Sequence, residues 1–174
     1  MKKLNKESFD DYLNIPIELL ILDFDGVFTD NSVLIDENGM EYVRCTRADG
    51  IGLEKLVKTG VKVFILSTEV NNIVHARAKK LNLKAYNGIK DKGEFIRNFL
   101  HKEKINKENV MFVGNDINDI PAFKEVGVRV GVSDCSPDIE EIIHFKTKSK
   151  GGYGAVREIC DILIQIKSQK YGKI

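Results

Sequence analysis

The sequence lacks the features that would mark a membrane, secreted or nucleic-acid-binding protein. Its 174 residues contain no apolar run of roughly 18 residues, the length a transmembrane helix needs. The three cysteines are widely spaced and form no Cys-x-x-Cys pair, so free thiols in a reducing cytoplasm are the simplest interpretation. The formal net charge is only +1, which leaves no overall field to attract nucleic acid or an anionic membrane. We therefore expect a cytoplasmic protein with neither kind of partner.

What the chain does contain is an ordinary globular composition, with 43% apolar and 30% charged residues. A chain of this length can bury a substantial core, so we predict a single domain over residues 1–174. Residues 1–18 form its N-terminal leader. The first fourteen of these are mostly polar and lack the continuous apolar region of a signal peptide, which favours a short leader helix.

Five short apolar runs flanked by turn residues predict buried strands of a parallel sheet. The runs are Leu19–Leu22, Val61–Leu66, Lys84–Tyr86, Val110–Val113 and Val128–Val132. Segments with helical spacing lie between them, at Gly50–Thr59, Asn72–Leu81, Lys92–Glu103 and Asp119–Val126. This alternation predicts an α/β fold with a doubly wound, Rossmann-like parallel sheet, in which ligands gather at the carboxyl ends of the strands.

Residues 32–44 interrupt the alternation. Two short strand-like runs meet at Asn38-Gly39, which is a strong signal for a β-hairpin. Because the hairpin directly follows an acidic loop, it can overhang that loop as a small flap, and no other segment is long enough for a large cap domain. A lone two-stranded hairpin is marginally stable in water, so we expect it to pack against another surface, such as a second subunit.

The acidic loop is the most informative stretch, because Asp23 and Asp25 follow the first buried strand directly. Two carboxylates at the end of a core strand cost desolvation energy, which a divalent cation can offset. Mg²⁺ suits the position, since it prefers a few carboxylate oxygens together with phosphate and water. The later strands are followed by further polar residues: Ser67, Asp91, Lys92, Asn115, Asp116, Asn118 and Asp119. Parallel topology should bring all of them to one edge of the sheet.

This set of side chains suits phosphoryl transfer. A metal ion and an ammonium group can neutralise the charge of the phosphoryl group, and a carboxylate can accept that group covalently. A second carboxyl group can protonate the leaving alcohol and then activate water. From the residues alone, helix caps or turn formers remain the alternative for Asp23, Asp25 and Asp116. A helix cap is the alternative for Ser67 and Asp119, and a solvated lysine at the start of a helix is the alternative for Lys92. A response-regulator receiver domain uses a similar pocket, but its two acids should be adjacent, whereas one residue separates Asp23 from Asp25.

The run Asp-Phe-Asp-Gly-Val-Phe-Thr-Asp over residues 23–30 resembles the signature of Mg²⁺-dependent phosphatases of the haloacid dehalogenase superfamily. The resemblance implies that Asp23 is the nucleophile and a metal ligand. It implies that Asp25 is the general acid and base, with its backbone carbonyl on Mg²⁺, and that Asp116 completes the metal shell with support from Asp119. Ser67 and Lys92 would hold the phosphoryl oxygens.

Further motifs are similar to those of the 3-deoxy-manno-octulosonate 8-phosphate phosphatase family. They occupy residues 46–50, 88–92 and 150–158, in addition to the hairpin, and the likeness runs from about Leu19 to Leu163. It implies hydrolysis of a sugar-acid phosphate monoester through an aspartyl phosphate. It also implies a homotetramer in which a neighbouring subunit helps to close the site. Arg47, Tyr153 and Arg157 are candidate substrate residues, the two arginines because guanidinium matches a carboxylate.

The chain departs from that family at two positions. Tyr153 replaces the arginine that octulosonate phosphatases usually carry in their late Gly-Gly-x-Gly motif, and Ser67-Thr68-Glu69 replaces their usual Thr-Gly-Arg. The acid at the third position resembles the nonulosonate, or neuraminate-type, 9-phosphate phosphatases, which are the alternative function. A catalytically silent oligomerisation module, like the tail domain of some acylneuraminate cytidylyltransferases, is the alternative of another class. The intact Asp23 and Asp25 argue against it.

Overall fold

A computed structural model describes residues 2–3 and 15–171 of the chain. The strands are β1 (Lys2–Lys3), β2 (Leu19–Leu22), β3 (Leu34–Ile35), β4 (Glu41–Tyr42), β5 (Lys62–Leu66), β6 (Lys84–Tyr86), β7 (Val110–Gly114), β8 (Val128–Gly131) and β9 (Phe145–Lys146). The main sheet has the strand order β1-β9-β8-β7-β2-β5-β6. Its strands are parallel except β1, which pairs antiparallel with β9.

The helices alternate with the strands of the main sheet. They are α1 (Arg47–Lys58), α2 (Ile73–Leu81), α3 (Lys92–Glu103), α4 (Ile120–Phe123) and α5 (Ala155–Tyr171). Helix α1 packs against α5 and α2, and α3 packs against α4. Short 3₁₀ turns cover Lys107–Asn109, Ile117–Asp119 and Pro137–Ile139. Among the described residues, none of these helices has both the length and the apolar character needed to cross a bilayer.

Burial at the centre of the sheet explains why the central strands are continuous apolar runs in the sequence. All four residues of β2 are fully buried. Ile21 lies opposite Phe64 of β5 on one side and Phe112 of β7 on the other. A central parallel strand covered on both faces needs apolar side chains on both, without alternation. Because β2, β5 and β7 run in register, their carboxyl ends form one edge, and the residues that follow each strand lie side by side.

The predicted doubly wound parallel sheet is confirmed, and β2, β6 and α3 have the predicted bounds. The strand β9 and the helix α5 were not predicted. The helix predicted over Asp119–Val126 is wrong in extent, since it covers only Ile120–Phe123 after the 3₁₀ turn. The leader helix is wrong for Lys2–Lys3, which form a strand, and the rest of that prediction falls on residues 4–14, outside the described part. A single domain over the whole chain stays a prediction.

The predicted hairpin is present as a separate two-stranded sheet of β3 and β4. Leu34 pairs with Tyr42, and Ile35 pairs with Glu41. The apolar side chains of this hairpin are exposed, at 71% for Leu34, 61% for Ile35 and 53% for Tyr42. An exposed apolar hairpin is an unusual surface for an isolated domain and fits an element that packs against something else.

Candidate active site

A cavity of about 320 Å³ opens at the carboxyl ends of β2, β5 and β7. Its lining includes four of the predicted site residues, Asp23, Asp25, Ser67 and Asp116, together with Asn31, Thr68, Glu69, Asn115, Ile117 and Asn118. A larger groove of about 820 Å³ runs along β5, β6 and α3, but it contains none of the predicted site residues. The chemistry of the lining, rather than the volume, identifies the smaller cavity as the candidate active site.

Asp23 is a buried carboxylate at the base of this cavity. Its Oδ1 atom lies 2.7 Å from the Lys92 Nζ and accepts a hydrogen bond of 2.7 Å from the Phe24 backbone N–H. Burial raises the pKa of Asp23 well above its ordinary value, and the nearby charge of Asp119 raises it further, against the opposing effect of Lys92. The charges and hydrogen bonds around Asp23 therefore compensate only in part for the cost of its ionised form.

Lys92 is the cation that compensates it. The residue begins α3, directly after Asp91, whose side chain caps the helix by accepting from the Glu94 N–H at 2.9 Å. The Lys92 side chain is fully buried and pairs with both Asp23 (2.7 Å) and Asp119 (2.6 Å). Burial lowers the pKa of Lys92, but the two carboxylates outweigh that effect and raise it. One ammonium group thus serves two carboxylates.

Asp119 connects Lys92 to the loop that follows β7. Its Oδ1 accepts from Lys92, and its Oδ2 accepts from the backbone N–H groups of Asn115 (2.8 Å) and Asp116 (3.4 Å). The side chain is fully buried. Asp119 is therefore placed to fix the backbone that carries Asp116, and it does not line the cavity itself.

Asp25 lies at the cavity wall in a tight turn. Its Oδ1 is 3.5 Å from the Thr29 hydroxyl, and its Oδ2 is buried without a hydrogen-bond partner among the described residues. Burial raises the pKa of Asp25, and the charge of Glu69 adds to that effect. The next residue, Gly26, has φ +74°, and a Cβ there would lie 2.1 Å from the Asn115 Nδ2. Glycine therefore suits this position against Asn115, one of the strand-end polar residues that the sequence predicts at this edge.

The oxygen atoms around the cavity suit Mg²⁺. The carboxylates of Asp23 and Asp116 belong to residues that line the same cavity, and Mg²⁺ prefers a few carboxylate oxygens completed by water and phosphate. No three acidic, histidine or cysteine side chains within residues 15–171 are grouped so that they could hold a metal ion by themselves. The unpaired Asp25 Oδ2 and the raised pKa of Asp23 both mark negative charge that a cation would offset.

The three candidate substrate residues lie away from the cavity lining. Arg47 is exposed at the start of α1. The Arg157 side chain pairs with Asp161 one turn along α5, at 2.7 Å. Tyr153 is 58% exposed and lies under the Arg44 guanidinium, 4.2 Å from the ring centroid. Arg44 in turn pairs with Asp30 at 3.0 Å, so Tyr153 belongs to a cluster at the base of the hairpin that the sequence did not predict.

Three comparisons with known proteins find relatives of this chain. Residues 65–159, more than half of the chain, match the family described as haloacid dehalogenase-like hydrolase. The 3-deoxy-D-manno-octulosonate 8-phosphate phosphatase of Escherichia coli K12 is 35% identical over 149 residues, which cover 85% of this chain and 79% of that protein.

Two solved structures of enzymes with the same name are also similar. The Yersinia pestis enzyme has 31% identity and a TM-score of 0.87, covering 94% of this chain and 90% of its own. The Moraxella catarrhalis enzyme, solved in complex with a magnesium ion, a phosphate ion and a KDO molecule, has 25% identity and a TM-score of 0.87. That match covers 91% of this chain and 93% of the Moraxella chain.

Proposed function

We propose that the chain, which belongs to the haloacid dehalogenase-like hydrolases, hydrolyses a sugar-acid phosphate with Mg²⁺. The premise is that members of this kind, and this chain with them, are phosphoric monoester hydrolases. The substrate we propose first is 3-deoxy-D-manno-octulosonate 8-phosphate, through an aspartyl phosphate on Asp23. One observation carries the proposal: the buried Asp23 carboxylate, paired with Lys92, lines the same cavity as Asp25 and Asp116.

The first half-reaction transfers the phosphoryl group to Asp23. Lys92 and the Phe24 N–H hold Oδ1, so we assign Oδ2 as the oxygen that bonds to phosphorus while the bond to the sugar oxygen breaks. Asp25, whose pKa is raised, gives its proton to the departing sugar oxygen. Mg²⁺, held by Asp23, Asp116 and the Asp25 carbonyl, would supply positive charge for the phosphoryl oxygens.

The second half-reaction returns the enzyme to its starting state. Asp25, now ionised, takes a proton from water, the water oxygen bonds to phosphorus, and the bond from phosphorus to Asp23 breaks. We assign Ser67 to a phosphoryl oxygen, because it lines the cavity with Asp23. Its Oγ accepts from the Glu69 N–H at 3.1 Å, which leaves the hydroxyl proton for a ligand in the cavity.

The exposed hairpin supports the proposed homotetramer. Leu34, Ile35 and Tyr42 are apolar and mostly exposed, and they lie on the segment that follows the catalytic loop. A neighbouring subunit that covers them would also restrict the mouth of the cavity.

A cytoplasmic location stays a prediction.

Glu69 favours a second candidate, a nonulosonate 9-phosphate. Its side chain lines the cavity, and its charge raises the pKa of Asp25, so the two acids are near enough to interact. A carboxylate at this position can accept hydrogen bonds from substrate hydroxyl or amide groups, and it would repel a substrate carboxylate. Glu69 therefore favours a substrate that presents hydroxyl or amide groups, and not its carboxylate, to this wall of the cavity.

A substrate panel tests the proposed function. We expect a kcat/KM for octulosonate 8-phosphate or a neuraminate-type 9-phosphate at least about 10-fold above that for hexose phosphates, because a sugar-acid site loses hydrogen bonds with other substrates. Activity should disappear on chelation and return with Mg²⁺. Equal turnover of all sugar phosphates would contradict the sugar-acid proposal. No turnover of any ester would favour the silent module.

A further inference from the structure

Asp49 is a buried carboxylate to which neither the sequence motifs nor the proposed chemistry gives a role. It lies in the first turn of α1 and is fully buried. Its Oδ1 accepts a 3.0 Å hydrogen bond from the backbone N–H of Arg157, which lies 108 residues further along the chain. Arg157 is in the first turn of α5, where backbone N–H groups have no partner within the helix. Asp49 thus caps α5 from a different helix, and its charge suits that helix end.

Stability alone does not explain this carboxylate. The Asp49 Oδ2 is buried without a hydrogen-bond partner among the described residues, and so is the Nε of Arg77. Burial raises the pKa of Asp49 to about 6, against the charges of Arg77 and Arg157. A half-satisfied buried carboxylate is costly, because its second oxygen has given up water without gaining a partner. The position therefore favours a functional reason for the acid.

The capped end of α5 leads directly into the glycine loop, residues 150–154. The Glu158 N–H donates to the Gly154 carbonyl at 3.0 Å, so the loop and the first helical turn are one unit. The loop is pressed against the backbone behind the catalytic residues. The Gly152 N–H donates to the Val27 carbonyl at 3.1 Å, and a Cβ at Gly151 would lie only 1.9 Å from the Gly26 carbonyl oxygen.

That backbone holds Asp25. Gly26 follows Asp25 directly, and the Thr29 hydroxyl accepts from the Gly26 N–H at 3.0 Å while it lies 3.5 Å from the Asp25 Oδ1. We propose that Asp49 is a positioning residue for Asp25, acting through the first turn of α5 and the glycine loop. The inference rests on the proposed function only in taking Asp25 as the general acid and base.

The role predicts a dependence on the leaving group. A proton from Asp25 matters most when the leaving oxygen is a poor leaving group, as in an alkyl phosphate, and little when it is p-nitrophenolate. We expect Asp49→Ala to lower kcat/KM for the alkyl ester about 100-fold, since a misplaced catalytic group costs about that much. For p-nitrophenyl phosphate we expect a loss in kcat/KM of less than about 10-fold. The quantity compared is kcat/KM because it covers the steps up to phosphoryl transfer and excludes hydrolysis of the aspartyl phosphate, in which Asp25 serves both esters alike.

The experiment compares kcat and kcat/KM for both esters in four proteins, with thermal melts to confirm folding. They are the wild type, Asp49→Ala, Asp49→Asn and the control Asp161→Ala. Asp49→Asn keeps an oxygen that can accept from the Arg157 N–H and should restore most of the alkyl-ester activity. Asp161→Ala removes a carboxylate that contacts the same Arg157 from the exposed side, at 2.7 Å, and should behave as wild type.

Parallel losses in kcat/KM on the two esters would overturn the proposal, because a loosened fold lowers both alike. An Asp49→Ala protein with wild-type alkyl-ester turnover would also overturn it. If the alanine variant does not fold, Asp49→Val fills the space without an acceptor and is measured in the same way. The alkyl ester is whichever one the wild type hydrolyses best. A wild-type enzyme that does not prefer sugar-acid phosphates would thus overturn the proposed substrate without affecting the proposed positioning role of Asp49.

Discussion

Replacing Asp23 by asparagine abolishes phosphate release, with a loss in kcat of about 10⁴-fold or more, because an amide cannot form the aspartyl phosphate. The fold should survive, since asparagine has the same shape and removes one of the two carboxylates that share Lys92. The measurements are steady-state phosphate release and a thermal melt. The exposed Asp138→Asn is the matched control and should keep wild-type activity. Near-normal turnover in Asp23→Asn would refute the assignment of the nucleophile.

Replacing Lys92 by methionine should damage both stability and turnover. Methionine keeps much of the buried stem but leaves Asp23 and Asp119 without their common cation. We expect a loss of about 3–5 kcal/mol in the free energy of unfolding, the usual range when one partner of a buried ion pair is removed. The loss in kcat should be about 10³-fold, because the phosphoryl group also loses a fixed positive charge.

Urea unfolding and phosphate release separate these two effects of Lys92. A second substitution, Asp119→Asn, in the Lys92→Met background removes one uncompensated charge and should recover part of the stability without recovering turnover. Lys90→Met, at an exposed position two residues away, should change neither quantity. A Lys92→Met protein with wild-type stability and turnover would show that the buried lysine is not part of the site.

The sheet could be predicted because its centre is buried on both faces. Leu19–Leu22 must be apolar throughout, and that requirement is visible in the sequence. The strand Phe145–Lys146 escaped prediction because two residues within a mixed, lysine-rich run carry no such pattern. The helix predicted over Asp119–Val126 was too long because the chain leaves the helix after Phe123. The Glu125 N–H donates to the Ala122 carbonyl in a tighter turn, and the Gly127 N–H donates to the Lys107 carbonyl outside the helix.

The residues of the candidate site that directly follow a strand could be predicted from the sequence. Asp23, Asp25, Ser67 and Asp116 line one cavity for that reason. Roles that depend on how helices pack could not be predicted. The contact of Asp49 with α5 requires the approach of two helices distant in sequence. The pairing of Arg157 with Asp161 is a local i,i+4 contact that the spacing could have shown, and it makes Arg157 a weaker substrate candidate.

Mapping the phosphoryl group on the protein tests the proposed chemistry. In Asp25→Asn, attack on p-nitrophenyl phosphate needs no acid, whereas hydrolysis of the aspartyl phosphate lacks its base, so the intermediate should accumulate. Mass spectrometry of this variant, quenched with acid during turnover, should find one phosphoryl group on the peptide that contains Asp23. The adduct should be absent when Asp23→Asn is added. Turnover by Asp25→Asn with no adduct, or with the adduct on another residue, would contradict a phosphoryl transfer through Asp23.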